Sequence, residues 1–311
     1  LLGIGTFTQV NGISSAVNNF FDSNNAWTVS LFGRTYSWTV VISCLILTFC
    51  VALVLIGGIQ RISKVAQVIV PFMAATYFLA GILIILFNIT DVPAAILTIV
   101  QSAFGLKAAA GGAPGAMVVA MQKGIARGIF SNEAGLGSAP IAAAAARTNE
   151  PVRQGLVSMT ATFIDTIIIC SITGIAIVLT GAYDMGLEGV AVTTKAFQLG
   201  LPFPDGVASF ILMLCLVFFA FTTILGWDYY SERCLEYLTN GKKKCIKAYR
   251  WIYILCVFIG PYMTVSAVWT IADIFNGLMA IPNLIALVAL NGVVAKETKD
   301  YLDRIKKKEI D

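Results

Sequence analysis

Histidine is absent from the 311 residues, and only 12% of the residues are charged. Without histidine the chain has no Ser-His-Asp triad, no histidine-ligated zinc and no histidine proton relay. Soluble domains carry about 25% charged residues, so this chain lacks the surface charge of a water-soluble globule. Hydrophobic residues instead make up 58% of the sequence, which indicates a protein embedded in lipid.

The seven cysteines include no CxxC pair, and most of them lie inside apolar runs. Cysteine in such runs behaves as a small hydrophobe, so neither a disulfide framework nor a cluster site is expected. The chain begins Leu1-Leu2-Gly3 instead of Met, already inside an apolar segment and without the features of a signal peptide. We therefore expect the true N-terminus to be missing.

Apolar runs of about 20 residues recur along the chain between short polar stretches, as in multi-pass helical membrane proteins. Nothing alternates with a period of two for long, which argues against an outer-membrane barrel. Two shorter pieces, near 94–105 and 191–200, predict helices at the interface or over an opening. The fold class is all-α, a single membrane domain over 1–311. About eight transmembrane helices are predicted, at 1–20, 38–59, 65–89, 114–146, 154–180, 207–227, 250–270 and 272–294.

Eight spans place the connecting segments alternately on the two sides of the membrane, and lysine and arginine are unequally distributed between these sides. The side of residue 1 carries 16 of the 21 basic residues, and the opposite side carries three, Arg34, Lys107 and Lys195. Because positive charge collects on the cytoplasmic side, we expect a cytoplasmic C-terminus and a basic tail at 295–311, in the inner or plasma membrane. Anchoring to anionic headgroups explains the basic clusters without a nucleic-acid partner. The basic connections are 60–64, 147–153, 228–250 and the tail.

The run 114–146 is too long and too polar for one unbroken helix. Gly135 and Gly137 weaken its helix propensity. Ser131 and Asn132 can hydrogen-bond backbone groups that a break sets free. The sequence therefore predicts two helical halves separated by an unwound stretch.

We predict that this unwound stretch lies around 131–137, with helix again from about Ser138. Unwound backbone at membrane depth is tolerated only where it is buried in protein or lines a wet cavity. Its carbonyls suit a cation such as sodium, and the N–H groups at a half-helix start suit the carboxylate of an amino acid. The alternative is an ordinary cytoplasmic loop between two short helices.

Polar side chains also lie within other apolar runs. Thr8, Asn11 and Ser15 are spaced to share one face of the span 1–20. We expect this face to point into the helix bundle, although hydrogen bonding between helices alone would also explain it.

The span 207–227 ends with Thr222, Thr223 and Trp227. The two hydroxyls can give oxygen ligands to a hard cation, and the indole can form the wall of an apolar pocket. The alternatives are threonines that bond their own helix at i−4 and a tryptophan at the membrane interface. The sequence leaves both open.

Two acidic residues lie near the break. Asp165 sits in an apolar span, where a charge is a functional hypothesis by default, although pairing with Arg153 or a hydroxyl is equally compatible. Glu133 is expected to pair with Arg127, as a gate or a lock on the break.

The stretch from Gly128 to Ile141, GIFSNEAGLGSAPI, resembles the signature of the alanine/glycine:cation symporter family. The resemblance covers essentially the whole chain, although many members carry Asn where this chain has Thr6. Further similar segments are Gly3-Ile4-Gly5, Gln9-Val10-Asn11, Gln154-Gly155-Leu156 with Phe163-Ile164-Asp165-Thr166, and Ala220 to Trp227 with Tyr229-Tyr230.

The resemblance implies a leucine-transporter-like fold of five plus five helices in inverted repeats. Residues 1–89 would be the remainder of the first repeat, with its first two core helices missing, and 114–294 the second repeat. The broken span would then be the sixth core helix, where such folds hold substrate. Thr222 and Thr223 would lie on the eighth, which carries a sodium site.

The resemblance also implies a secondary active transporter, not an enzyme, that couples sodium to small neutral amino acids such as alanine and glycine by alternating access. Sodium is the coupling ion, and no other metal or cofactor is expected. The chain as given is not expected to transport without the missing helices. The implied substrate-binding residues are Gln9, Gly128, Ser131, Asn132, Gly135, Thr223 and Trp227, and the implied cation ligands are Thr222 and Thr223.

Three other hypotheses fit the sequence in part. A proton-coupled transporter of the same superfamily would use Glu133 or Asp165 as the proton carrier. A membrane-embedded enzyme lacks a zinc spacing, a nucleophile elbow and a phosphate loop. A structural scaffold explains the spans but leaves the polar interior unexplained.

Overall fold

A computed structural model describes residues 5–31, 33–104 and 113–307, which are mostly helical as the composition predicts. The first four residues of the predicted span 1–20, Lys107 of the charge count and the tail beyond 307 lie outside the described residues. The helices are α1 (Gly5–Phe21), α2 (Trp38–Ile56), α3 (Ile59–Phe87), α4 (Val92–Ala103), α5 (Ala113–Asn132), α6 (Ala139–Ala143), α7 (Pro151–Thr162), α8 (Ser171–Leu179), α9 (Val190–Gly200), α10 (Asp205–Leu238), α11 (Lys243–Ile259) and α12 (Val265–Lys306). A π-helix, Phe163–Cys170, joins α7 to α8, and Ala182–Asp184 and Gly260–Tyr262 are 3₁₀ turns.

Five helical stretches within the described residues are long and apolar enough to cross a bilayer. Large apolar side chains remain exposed along them, which is the surface that lipid covers. The protein is therefore a multi-pass membrane protein, although the predicted count of eight spans is not confirmed. The five stretches are Trp38–Ile56, Gln60–Phe87, Pro151–Leu179, Asp205–Leu238 and Val265–Lys306.

The predicted boundary between the spans 250–270 and 272–294 is wrong. The turn Gly260–Tyr262 follows α11, and α12 begins at Val265 and continues for 42 residues. Pro261 has no N–H to donate and therefore favours a helix end at this point. Helix α12 continues into the predicted tail as far as Lys306.

A short β-hairpin, which the sequence did not predict, connects α1 to α2. Strands β1 (Thr28–Leu31) and β2 (Arg34–Ser37) are antiparallel. The carboxylate of Asp22 accepts hydrogen bonds from the Ser37 hydroxyl at 2.6 Å and from the Ala26 N–H at 2.7 Å. These bonds lower the pKa of Asp22 below its usual range.

The chain divides into two compact units. Unit 1 comprises Leu1–Val118 and Ile172–Ala272, and unit 2 comprises Val119–Ser171 and Asp273–Asp311.

In unit 1, α1 and α10 pack antiparallel at the centre. Gly5 lies against Trp227 at one end of the contact, and the Phe20 and Phe210 rings lie 5.7 Å apart at the other. Further apolar residues complete this core, among them Val10, Val51, Ile224, Tyr253 and Val257.

In unit 2, a bidentate ion pair connects the start of α7 with the end of α12. The Arg304 guanidinium donates to both carboxylate oxygens of Glu150, at 2.9 and 2.8 Å. These hydrogen bonds hold the pKa of Glu150 below its usual range. Two segments that are 154 positions apart in the sequence are therefore joined.

Candidate functional site

The predicted break in the helix is present in unit 2. Helix α5 ends, and residues 133–138 are not helical before α6 begins. Within them Glu133, Gly135 and Gly137 have φ angles of +57°, +81° and +80°, the left-handed region that favours glycine. Two of the three positions are glycines, so the sequence meets the backbone requirement of the break at low cost.

The break is neither an uninterrupted helix nor a freely exposed loop. Leu136 is 3% exposed and Ser138 is fully buried, so the segment packs against the rest of unit 2. The helix that follows is shorter than predicted, because α6 has only five residues and ends before the alanine run is complete. Little more than one helical turn therefore follows the break before the chain leaves helical geometry again.

Three backbone N–H groups in the break remain free. Those of Gly135, Gly137 and Ser138 donate to no partner within the described part of the chain. The Gly135 carbonyl accepts a hydrogen bond from the Asn283 side-chain amide at 3.0 Å, which attaches the break to α12. Free amides on a curved backbone form a concavity that suits an anion such as a carboxylate.

Two predicted substrate ligands contact the π-helix. The Ser131 hydroxyl donates to Asp165 at 2.7 Å, and the Asn132 amide donates to the Thr166 hydroxyl at 2.9 Å. The Asn132 side-chain oxygen accepts the Ala134 N–H at 2.9 Å. Asp165 thus pairs with a hydroxyl, one of the two pairings that the sequence allowed. Single π-helical turns are frequent at functional sites.

The predicted pair of Glu133 with Arg127 is wrong. The Arg127 guanidinium donates to both oxygens of Asp273 on α12, at 2.6 Å. Glu133 instead accepts the Ser138 hydroxyl at 2.6 Å. The left-handed φ of Glu133 turns its side chain away from the axis of α5 and towards the restarting chain, which separates the two residues.

Substituting Gly137 with alanine is expected to destabilise the break. The left-handed conformation costs a non-glycine residue about 1–2 kcal/mol, and the new methyl group would lie 3.0 Å from the Asn283 side-chain oxygen. Gly128→Ala is the matched control, since no atom of the described residues lies within 4 Å of its added carbon. Thermal unfolding of the purified full-length protein checks this. An equal melting temperature for both variants would contradict it.

The second group of predicted site residues lies in unit 1. Trp227 is 3% exposed and packs on Gly5, so its ring is buried within this unit. The antiparallel contact of α1 with α10 places Gln9, one turn beyond Gly5, level with Thr223, one turn before Trp227. Gln9, Thr223 and Trp227 therefore all belong to this unit.

The hydroxyls of Thr222 and Thr223 donate to carbonyls of their own helix, which was one of the two interpretations that the sequence left open. Thr222 donates to the Phe218 and Phe219 carbonyls at 3.0 Å, and Thr223 donates to the Phe219 carbonyl at 2.9 Å. A hydroxyl that donates still keeps its oxygen lone pairs. The hydrogen bonds therefore orient the two oxygens without preventing them from accepting a cation.

The polar face of α1 points into unit 1, as expected. Thr8, Asn11 and Ser15 line a cavity of about 400 Å³, which Thr193 of α9 and Trp269 of α12 help to enclose. The Asn11 side-chain amide also donates to the Met263 carbonyl at 2.9 Å.

The predicted site residues divide between the two units. Gln9, Thr222, Thr223 and Trp227 belong to unit 1, and Gly128, Ser131, Asn132 and Gly135 belong to unit 2. The contacts of Thr166 with Asn132 and of Asn283 with Gly135 were not predicted. Thr166 directly follows Asp165, which is conspicuous as a charge within an apolar span. Asn283 directly follows Pro282, which is conspicuous as a proline within a helical segment.

Comparison with known proteins identifies close relatives. The model of the sodium:alanine symporter family matches residues 1–311. An uncharacterized transporter of Haemophilus influenzae is 51% identical over 306 residues, 98% of this chain and 63% of that protein. The sodium/alanine symporter AgcS of Methanococcus maripaludis is 43% identical over 311 residues, 99% of this chain and 63% of that protein.

The probable sodium/glutamine symporter GlnT of Bacillus subtilis is 40% identical over 283 residues, 90% of this chain and 58% of that protein. The chain spans about 63% of the length of the first two relatives.

Proposed function

The chain belongs to the sodium:alanine symporter family, and we propose that within its full-length protein it carries a small neutral amino acid across the membrane together with sodium. The observation that carries this proposal is the break at 133–138, where three backbone amides have no partner among the described residues and lie next to polar side chains held by hydrogen bonds. An unwound segment of this kind suits a zwitterion, because its amides attract a carboxylate and its carbonyls attract a cation.

In unit 2, the substrate carboxylate binds the free amides of Gly135 and its neighbours. Ser131 and Asn132, held by the π-helix, border this concavity and contact the substrate. Gly128 lies one helical turn before Asn132 and leaves open space on that face of α5. Alanine or glycine fits the proposal because neither has a polar side chain that needs a further partner.

In unit 1, Gln9, Thr223 and Trp227 line the path of the substrate. The Thr222 and Thr223 oxygens bind sodium, since hydroxyl and carbonyl oxygens are the ligands that hard cations prefer. Sodium entry drives the cycle of alternating access. One charge crossing about 100 mV provides roughly 2.3 kcal/mol, to which the concentration gradient adds. The basic connections orient the protein with its C-terminus in the cytoplasm.

Uptake by the full-length gene product in proteoliposomes tests the proposal. Labelled L-alanine is expected to accumulate under an inward sodium gradient and to remain at background under a matched potassium gradient. Unlabelled glycine should compete with labelled alanine for uptake. Unlabelled glutamine serves as a larger competitor for comparison. Accumulation driven by a pH gradient without sodium would support the proton-coupled alternative, and no accumulation under either gradient would contradict the proposal.

A further inference from the structure

A cluster of ionisable groups that the proposed transport site does not use lies at the second half of α10. Asp228 is 1% exposed and Glu232, one helical turn later, is 6% exposed. Both lie in unit 1, opposite the basic residue Arg250 of α11. Two buried carboxyl groups so close together destabilise each other when both are ionised.

The arginine is engaged by only one of the two acids. Arg250 donates to both carboxylate oxygens of Glu232, at 2.6 and 2.9 Å. Asp228 Oδ1 is buried and accepts no hydrogen bond from any described residue. With both acids ionised, the cluster would hold an unpaired negative charge in a nonpolar interior, which is strongly unfavourable.

Two neighbouring hydroxyls are already used elsewhere, whereas the buried Tyr249 hydroxyl has no hydrogen-bond partner among the described residues. The Ser231 hydroxyl donates to the Trp227 carbonyl at 2.8 Å, and the Tyr253 hydroxyl donates to the Ile224 carbonyl at 2.7 Å. The Thr6 hydroxyl donates to the Tyr253 oxygen at 2.8 Å. Among the described residues none donates a hydrogen bond to Asp228 Oδ1, so its charge is opposed only by the more distant Arg250.

We propose that Asp228 is a proton-binding site, neutral in the resting protein, and that the proton it exchanges is linked to transport. A hydronium ion from the aqueous phase gives its proton to the carboxylate: one O–H bond forms on Asp228, one O–H bond of the hydronium breaks, and water is released. A second metal cation is less favourable because Arg250 already places positive charge in the cluster. The link to transport rests on the proposed function, whereas protonation of Asp228 does not.

The groups that face Asp228 are few. Glu232 lies on its own helix, and Tyr249, Arg250 and Tyr253 come from α11, with Cys256 next to the two tyrosines. The described residues of α1 include no ionisable side chain, and those of α2 include only cysteines.

A route for the proton begins at Arg250. This residue lines a cavity of about 420 Å³ together with Lys243, Lys247 and Trp251. Arg250 in turn contacts Glu232, one turn from Asp228. A proton from the solvent can therefore reach Asp228 from the side of the cluster where Arg250 lies.

Infrared spectroscopy of the full-length protein in nanodiscs tests protonation directly. Near neutral pH, the wild type is expected to show the band of a protonated carboxyl group, and Asp228→Asn should lose the amplitude of one such group. Asp205→Asn, an exposed change on the same helix, should retain it. Equal bands in the wild type and Asp228→Asn would overturn the proposal.

Glu232→Gln provides a second variant that keeps the aspartate. It releases Arg250, which can then pair with Asp228, so the same band should disappear although Asp228 is still present. A band that persists in Glu232→Gln would contradict the role given to Arg250 and with it the proposal.

The pH dependence of sodium-driven alanine uptake tests the link to transport. One titrating group changes the uptake rate by up to about tenfold per pH unit. Asp228→Asn should abolish this pH dependence, and Asp205→Asn should retain it. An unchanged pH profile in Asp228→Asn would overturn the link. Absence of sodium-driven uptake in the wild type at every pH would instead contradict the proposed function, and the infrared result would still decide on the proton site.

Discussion

Replacing Asn132 with alanine in the full-length protein is expected to reduce sodium-driven alanine uptake about 10- to 100-fold while the protein remains folded. Asn132 donates to Thr166 and accepts from the Ala134 N–H, so it connects the end of α5 to both the π-helix and the break. Losing hydrogen bonds that position a ligand costs about 1–3 kcal/mol, and each 1.36 kcal/mol is about a tenfold change in rate. Initial uptake rates in proteoliposomes measure the effect.

Two further variants separate the roles of the Asn132 side chain. Asn132→Asp keeps the acceptor for the Ala134 N–H but loses the donor to Thr166, and Thr166→Val removes that acceptor alone. Both should lower uptake less than Asn132→Ala. Asn24→Ala, in an exposed loop, is the matched control. Normal uptake by Asn132→Ala would remove this residue from the site.

Replacing Gly5 with alanine is expected to destabilise unit 1 by about 1–3 kcal/mol, the usual cost of overpacking a core. The added methyl carbon would lie 2.1 Å from atoms of the Trp227 indole. That ring is buried and rigid, so α1 and α10 must move apart. Gly12→Ala is the matched control on the same helix, because its nearest atom, in Val190, is 3.9 Å away. Alanine favours a helix over glycine by about 1 kcal/mol, so Gly12→Ala should be neutral or stabilising.

Thermal unfolding of the purified full-length variants measures the difference. The double variant Gly5→Ala with Trp227→Phe should recover part of the loss, since the smaller ring relieves the overlap, and the cycle reports the coupling of the two positions. A melting temperature of Gly5→Ala at or above that of Gly12→Ala would refute the packing of Trp227 on α1.

The break in the helix could be predicted because its causes are local. Gly135 and Gly137 take up left-handed backbone conformations, and Ser131 and Asn132 bind groups near the break. The pairing of Arg127 with Asp273 could not be predicted, because the two residues are 146 positions apart and only the fold brings them together.

The buried acid cluster was missed for a specific reason. The predicted span ended at 227, which assigned Asp228, Glu232 and Arg250 to a polar connection on the cytoplasmic side. In the structure α10 continues to Leu238, and these residues lie inside unit 1. The charges interrupted the hydrophobic pattern, although their pairing with each other and their burial allow the helix to continue.

The central claim is that the irregular backbone at 133–138 binds the amino acid. Hydrogen–deuterium exchange of the full-length protein in nanodiscs, followed by mass spectrometry, tests it most directly. Peptides that contain Gly135 and Gly137 should exchange more slowly when alanine and sodium are present together than with arginine and sodium, because their free amides become hydrogen-bonded to the substrate. The same exchange rate with and without alanine would contradict the claim.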